Sequence, residues 1–266
     1  MALPVDYHMH TPLCRHAVGE PEEYARRALE LGLTEIGISD HSPMRQDDFD
    51  EWRMNFDKLA IYVDDVRRTQ KTFPQLQIRM ALEVDYFPNG EDWIRELASL
   101  YPWDYFIGSV HYVSDDWAID DPKQISQWKN RDSFEVWRIY FDRLAQAAAS
   151  GLFEIIGHAD LPKKFGHRPP ENAAPLYEKF LDAAKKSSCA IELNTAGLRK
   201  DCNEIYPNRN LLRMAFQKDV PITFGSDAHA PGEVGMNFAE AVELARGVGY
   251  TKSCRFVQRH REIVPL

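Results

Sequence analysis

Pro4-Val5-Asp6-Tyr7-His8-Met9-His10 runs directly into Thr11-Pro12-Leu13-Cys14-Arg15-His16, and the reading of this stretch decides the fold. If residues 4–10 form a strand, His8 and His10 lie two positions apart and point to the same face. Two imidazoles converging from one rigid element make half of a metal site. His16 follows a proline-containing turn and can fold back over them. A His-x-His pair also arises by accident in surface strands. A metal-site reading therefore requires other segments to deliver ligands to the same place.

The segments downstream alternate in character. Gly19-Glu20-Pro21-Glu22-Glu23 predicts a helix start, with proline in the first turn and acids at the positive end, and Gly32 stops it. Residues 34–39 read as a buried strand that ends in Asp40-His41. Residues 44–51 are polar and read as a lid-like loop. Trp52 to Thr72 reads as one long amphipathic segment, with Phe56, Leu59, Val63 and Val66 at helical spacing. Further strands are expected at 79–82, ending at Glu83, and at 105–110, leading to His111. Others follow at 153–157, delivering His158, at 189–194, carrying Glu192 and Asn194, and at 221–226, ending in Asp227-Ala228-His229. Helices are expected near 91–100, 133–150, 174–187, 209–218 and 238–247. The loop 112–132 is long and rich in Asp and Trp, a length that is usually functional or disordered. A basic loop occupies 163–170, and the tail 253–265 reads as an outer strand.

This makes seven apolar strands, most separated by a helix, which predicts a parallel α/β sheet closed or nearly closed into a TIM-like (β/α) barrel. A doubly wound open sheet is the alternative, but its Gly-x-Gly-x-x-Gly fingerprint is absent. With no repeat, low-complexity run or linker, residues 1–266 read as a single domain. Hydrophobic content of 44%, with 12% aromatics, supplies a sizeable core.

The formal net charge of −9 argues against a nucleic-acid or membrane-surface binder, which needs a basic stripe. It leaves room for a small anionic substrate. The four cysteines, Cys14, Cys189, Cys202 and Cys254, form no Cys-x-x-Cys pair and predict reduced thiols in a cytoplasmic protein. Cys14 stands between candidate ligands as a soft donor, a reactive thiol or a buried filler. No stretch approaches the roughly 20 apolar residues that span a bilayer, and no export signal is visible.

The chemistry collects at strand ends. His8, His10, Asp40, His41, Glu83, His111, His158, Glu192, Asn194, Asp227 and His229 all fall at or just beyond strand C-termini, which share one face in an α/β barrel. Seven imidazoles, His16 included, with Glu83 and Asp227 exceed the four ligands of one zinc site and suffice for two or three ions if a carboxylate bridges. Nitrogen and oxygen donors suit Zn, Mn or Fe.

Asp6-Tyr7-His8-Met9-His10-Thr11, Ser39-Asp40-His41, Gly108-Ser109-Val110-His111, Gly157-His158-Ala159-Asp160 and Gly225-Ser226-Asp227-Ala228-His229 resemble, in order, motifs of the polymerase and histidinol phosphatase (PHP) superfamily. Residues 81–88 and 192–200 are similar to its stand-alone histidinol-phosphate phosphatase branch. The resemblance runs from residue 6 to about residue 238. It implies a distorted seven-stranded barrel with three divalent metals. One would be held by His8, His10, Glu83 and Asp227, a second by His16, His41 and His229, and a third by Glu83, His111 and His158.

The implied reaction is hydrolysis of L-histidinol phosphate to L-histidinol and phosphate in histidine biosynthesis, by in-line attack of a metal-bridging hydroxide. Arg199 is the expected cation for the phosphate, with His229 beside the reacting group. Lys163, Lys164 and Arg168 are further phosphate candidates. Asp40 either protonates the leaving alkoxide or orients His41. Asp85, Asp115 and Asp160 are candidates for the substrate amine or imidazole. Two other readings compete: the same fold acting on another phosphate ester or on nucleic-acid ends, and a metal-binding regulatory or storage protein without turnover. The oligomeric state is not legible.

Overall fold

A computed structural model describes residues 4–266; residues 1–3, the start of the expected domain, lie outside the described residues. The first helix, α1 (Pro21–Glu30), forms where the acids and proline predict it. Glu20 and Glu23 close a capping box across its first turn, and Gly32 leaves it at φ +77°. Then come β1 (Glu35–Ile38), α2 (Leu59–Thr72), β2 (Gln77–Asp85), α3 (Glu91–Leu100) and β3 (Tyr105–Ser109). The long loop carries a small hairpin, β4 (Tyr112–Ser114) with β5 (Trp117–Ala118), and a 3-10 stretch at Pro122–Asn130. The chain continues through α4 (Ser133–Ala149), β6 (Ile155–Ile156), α5 (Ala174–Ser187), β7 (Ala190–Asn194), α6 (Arg209–Gln217), β8 (Ile222–Gly225) and α7 (Phe238–Val248). It ends in β9 (Lys252–Val257) and β10 (His260–Pro265).

Six of these strands form one curled parallel sheet in the order β1-β2-β3-β6-β7-β8. The opening segment differs from the expected strand. It makes only isolated bridges, Asp6 to Ile36 and Met9 to Ala228. Side chains replace the missing ladder partners: the Asp6 carboxylate accepts from Ser226 N–H at 2.8 Å and Gly235 N–H at 2.9 Å, and Met9 N–H donates to Ser39 Oγ at 3.2 Å. The segment still lies between the two sheet edges. Gly37 N–H donates to Asp6 O at 2.8 Å on the β1 side, and Tyr7 N–H donates to Phe224 O at 3.0 Å on the β8 side.

The period of two along each strand sorts the inward residues into layers. Ala81, Tyr105, Ile107, Ile155 and Ala190 make an apolar lower layer with Val5 and Tyr7. Two residues on, Glu83, Ser109 and Glu192 make a buried polar upper layer. The outward residues, among them Ile36, Leu82, Phe106, Ile191 and Phe224, pack into the main core under the helices.

Two further elements depart from expectation. α2 begins at Leu59 rather than Trp52, and Phe56, assigned to the apolar face, is 41% exposed in a 3-10 turn. The tail is no outer strand of the main sheet. β9 and β10 pair only with each other, and Cys254 and Phe256 fill the lower apolar layer from below. Among the described residues no helix is long and apolar enough to cross a membrane.

Candidate metal centre

Glu83 lies in the inward row of β2, near its end at Asp85, and is 2% exposed. Its Oε1 lies 2.8 Å from His158 Nε2 and 3.5 Å from His111 Nε2. Its Oε2 lies 2.9 Å from His41 Nδ1, 3.3 Å from His8 Nε2 and 3.7 Å from His10 Nε2. Five imidazoles, two from the opening segment and one each from beyond β1, β3 and β6, therefore surround one carboxylate. Asp227 approaches from β8, with Oδ1 at 3.2 Å from His10 Nε2 and 3.5 Å from His229 Nδ1. The rings of His229 and His10 stack with centroids 4.0 Å apart, and His16 closes on His229 at 4.5 Å. All nine residues expected as ligands are contiguous, and His8 and His10 share a face although their backbone is irregular.

Outer partners fix most of these rings. His8 Nδ1 meets Glu192 Oε1 at 2.7 Å, His111 Nδ1 meets Asp85 Oδ1 at 2.8 Å, and His10 Nδ1 faces Asp40 Oδ1 at 3.4 Å. The carbonyls of Cys14 and Asp227 lie 3.0 and 3.1 Å from Nδ1 of His16 and His229. A histidine held at one nitrogen by an acceptor presents the other to a cation. Glu192 is itself fixed by the N–H of His158 at 2.9 Å and the amide of Asn194 at 3.1 Å. Asp40 accepts from His41 N–H at 2.8 Å and from the Thr11 hydroxyl. Cys14 is buried behind His10 and Asp40, its thiol within 4.8 Å of their ligand atoms.

The residues present fit metal ions. Nε2 of His8, Nε2 of His10 and Nδ1 of His41 are buried beside carboxylate oxygens without a well-angled hydrogen bond to them, an arrangement that costs free energy unless a cation takes the lone pairs. His8, His10 and Asp227 converge within 4.8 Å, as do His10, His41 and His229, and His41, Glu83 and His111. The electrostatics divide the set: burial opposes charge on His8, His10 and His111, but neighbouring carboxylates outweigh it and raise all three, His111 to about 10, so a bound cation would displace protons there. Burial opposes ionisation of Glu83, but His41, His8 and His111 outweigh it and hold its carboxyl well below the usual range. Burial, with help from neighbouring imidazoles, pushes His16 down to about 4 and His229 well below the ordinary imidazole value. Those rings stay neutral, as ligands must.

A cavity of about 340 Å³ opens above the cluster. Glu83, His16, His41, His111, His158, Asp227 and His229 form its floor, and Lys164 and Lys200 lie on its wall. The other expected substrate residues stand elsewhere. Arg199 lies behind the Asp227 loop, its guanidinium donating to the carbonyls of Ser226 at 2.9 Å and Asp227 at 3.2 Å and pairing with Glu233. Lys163 is fully buried against Ile205 O at 2.8 Å, Glu204 and Asp160. Asp160 receives two bonds from Asn208, Arg168 pairs with Glu204, and Asp115 is exposed. None of these lines the cavity, nor does Asp40. The sequence reading missed Trp52, Asp120, Asp121 and Tyr206 on its wall. Asp120 has the clearest signal, since it lies in the long Asp-rich loop and pairs with Lys164 at 2.9 Å.

The PHP domain family model matches residues 6–196. A probable histidinol-phosphatase of Deinococcus radiodurans is 42% identical over 261 residues, covering 98% of each chain. The histidinol-phosphatase of Bacillus subtilis is 30% identical over 262 residues, 90% of this chain and 98% of that protein. A crystal structure of histidinol phosphate phosphatase from Lactococcus lactis subsp. lactis, complexed with zinc, L-histidinol and phosphate, superposes with a TM-score of 0.84. It shares 19% identity and covers 98% of this chain and 100% of that one, a likeness of fold. With a family match over most of its length and relatives this similar end to end, the chain belongs to the PHP domain family.

Proposed function

We propose that this chain is a metal-dependent phosphomonoesterase that hydrolyses L-histidinol phosphate to L-histidinol and inorganic phosphate in histidine biosynthesis. The observation that carries the reading is the ring of imidazoles around Glu83 at the floor of a substrate-sized cavity, in a chain 42% identical to a probable histidinol-phosphatase. We place three divalent ions on the ligand sets His8, His10, Glu83, Asp227; His16, His41, His229; and Glu83, His111, His158. When bound, such ions acidify a coordinated water to give a nucleophile at neutral pH and neutralise phosphate oxygens.

The chain's own residues do the rest. Lys164 and Lys200 line the cavity and draw the phosphate toward the floor, where His229 stands beside the leaving ester oxygen. Asp120, Asp121 and Trp52 offer carboxylates and an aromatic face to the amine and imidazole of the substrate. Asp40 is a holder of His10 and His41, and Arg199 a holder of the Asp227 loop. The opening segment acts as the seventh stave of a closed barrel, which together with the terminal hairpin makes one domain working in the cytoplasm with its thiols reduced.

Phosphate release from histidinol phosphate by zinc- or manganese-reloaded protein tests the reading. Chelation and His10→Ala should each abolish it. Full turnover after complete metal removal would sink the metal-dependent reading, and faster cleavage of single-stranded DNA than of the monoester would sink the substrate.

A further inference from the structure

Arg53 belongs to a polar loop, yet it is 1% exposed and among the largest fully buried side chains. Its Nη2 donates to Asp85 Oδ2 at 2.8 Å, its Nε donates to Asp50 Oδ2 at 2.7 Å, and its Nη1 donates to Ser42 O at 3.4 Å. One planar guanidinium thus joins two carboxylates, a geometry that an ammonium on a single point cannot reproduce.

Each carboxylate continues to a different part of the site. Asp85 turns its other oxygen to His111, taking the ring Nδ1 at 2.8 Å and the backbone N–H at 3.2 Å, so the His111 Nε2 is directed at Glu83. Asp50 accepts from Trp52 N–H at 3.1 Å and from the Tyr112 hydroxyl at 2.9 Å. The Trp52 ring stacks on Tyr112, with centroids 6.0 Å apart, and lines the cavity. Arg15, next to His16, ties the same loop from the opposite side by donating to the carbonyls of Arg53 at 2.9 Å and Asp50 at 2.7 Å.

We propose that Arg53 is a positioning residue that couples the cavity wall to the metal centre, fixing His111 through Asp85 and Trp52 through Asp50. The loop that touches the organic part of the substrate is thereby held in register with a ligand of the centre. This inference rests on the metal-centre reading above, with His111 as a ligand.

The test uses the full chain, with zinc as the metal probe and histidinol phosphate as substrate. Arg53→Lys keeps the charge but reaches one carboxylate, and it is expected to weaken zinc affinity about 10- to 100-fold in chelator competition, the usual cost of losing a ligand's outer partner. Asp50→Asn cuts only the loop arm, and is expected to raise KM several-fold while kcat and zinc affinity hold. Circular dichroism confirms that both variants are folded. Native zinc affinity in Arg53→Lys, or native KM in Asp50→Asn, overturns the coupling. A native chain that binds zinc and hydrolyses no histidinol phosphate overturns the functional reading instead, so the two failures are distinct.

Discussion

A β-carbon at Gly225 would stand 2.0 Å from Glu192 Oε1 and 2.7 Å from His8 Cβ. The bare backbone at the end of β8 is what allows Glu192 to reach the ring of His8. Gly225→Ala must therefore push Glu192 or His8 out of place, and metal retention after dialysis should fall together with activity. Gly232→Ala, which meets nothing within 4 Å, serves as the matched control. Equal metal retention in the two variants would show that the close approach does not matter. The adjacent lysines 163 and 164 separate in the same way. Lys163→Met strands a carbonyl and two carboxylates, and should cost about 3 kcal/mol in denaturant unfolding. That is the lower end for a broken buried pair, because Glu204 keeps water contact. Lys164→Ala should cost less stability, since its partner Asp120 keeps some water contact, and should raise KM, because Lys164 lines the cavity. A reversal of these phenotypes in melting and steady-state assays would reject the placement of the two side chains.

At the scale of elements, the terminal hairpin does what no sequence pattern announced. Phe256 packs beneath Tyr105 and Tyr7 at ring centroid distances of 6.1 and 6.2 Å, and its N–H donates to the Tyr7 hydroxyl at 3.2 Å. β9 and β10 thus seal the apolar end of the sheet while the ligands gather at the other. Phe256→Ala should cost about 3–5 kcal/mol, read as a lower denaturant midpoint with an unchanged slope. A loss below about 1 kcal/mol would mean that the lower layer is not completed by the hairpin. The element was hidden because its turn uses Gln258 and Arg259 at φ +47° and +66°, where a two-residue hairpin ordinarily signals itself with Asn-Gly. The opening segment was misjudged for a related reason. Its hydrophobic and polar residues alternate like a strand, but Asp6 binds backbone N–H groups that a ladder would otherwise pair. α2 was read too long because the apolar Phe56 fits the period, while Arg53, three residues earlier, is drawn to Asp50 and Asp85 instead of continuing a helix.

For the molecule as a whole, the legible part was the part that period and strand order determine. His41, Glu83, His111, His158 and Asp227 each follow an apolar run, and a parallel sheet sends all such ends to one side. Trp52, Asp120 and Tyr206 reach the same cavity along loops whose return paths no periodicity encodes, and Arg199 donates to backbone carbonyls behind the Asp227 loop, because a cation near a strand end serves a carbonyl as readily as a phosphate. This architecture makes a global prediction. The ligand set draws on the opening segment and on the ends of β1, β2, β3, β6 and β8, so bound ions would tie together parts of the chain more than 200 residues apart. Metal binding should then stabilise the entire fold rather than one loop. At a free metal concentration of about 100 Kd, linkage adds about 2.7 kcal/mol per site, which for a chain of this size raises Tm by roughly 5–10 °C. Differential scanning calorimetry with zinc and with chelator measures the shift, and hydrogen exchange locates it. Protection should rise in β2, β3 and β8 together. A shift confined to the 44–55 and 112–132 loops, with strand protection unchanged, would mean that the ions sit on the cavity wall and not among the strand ends.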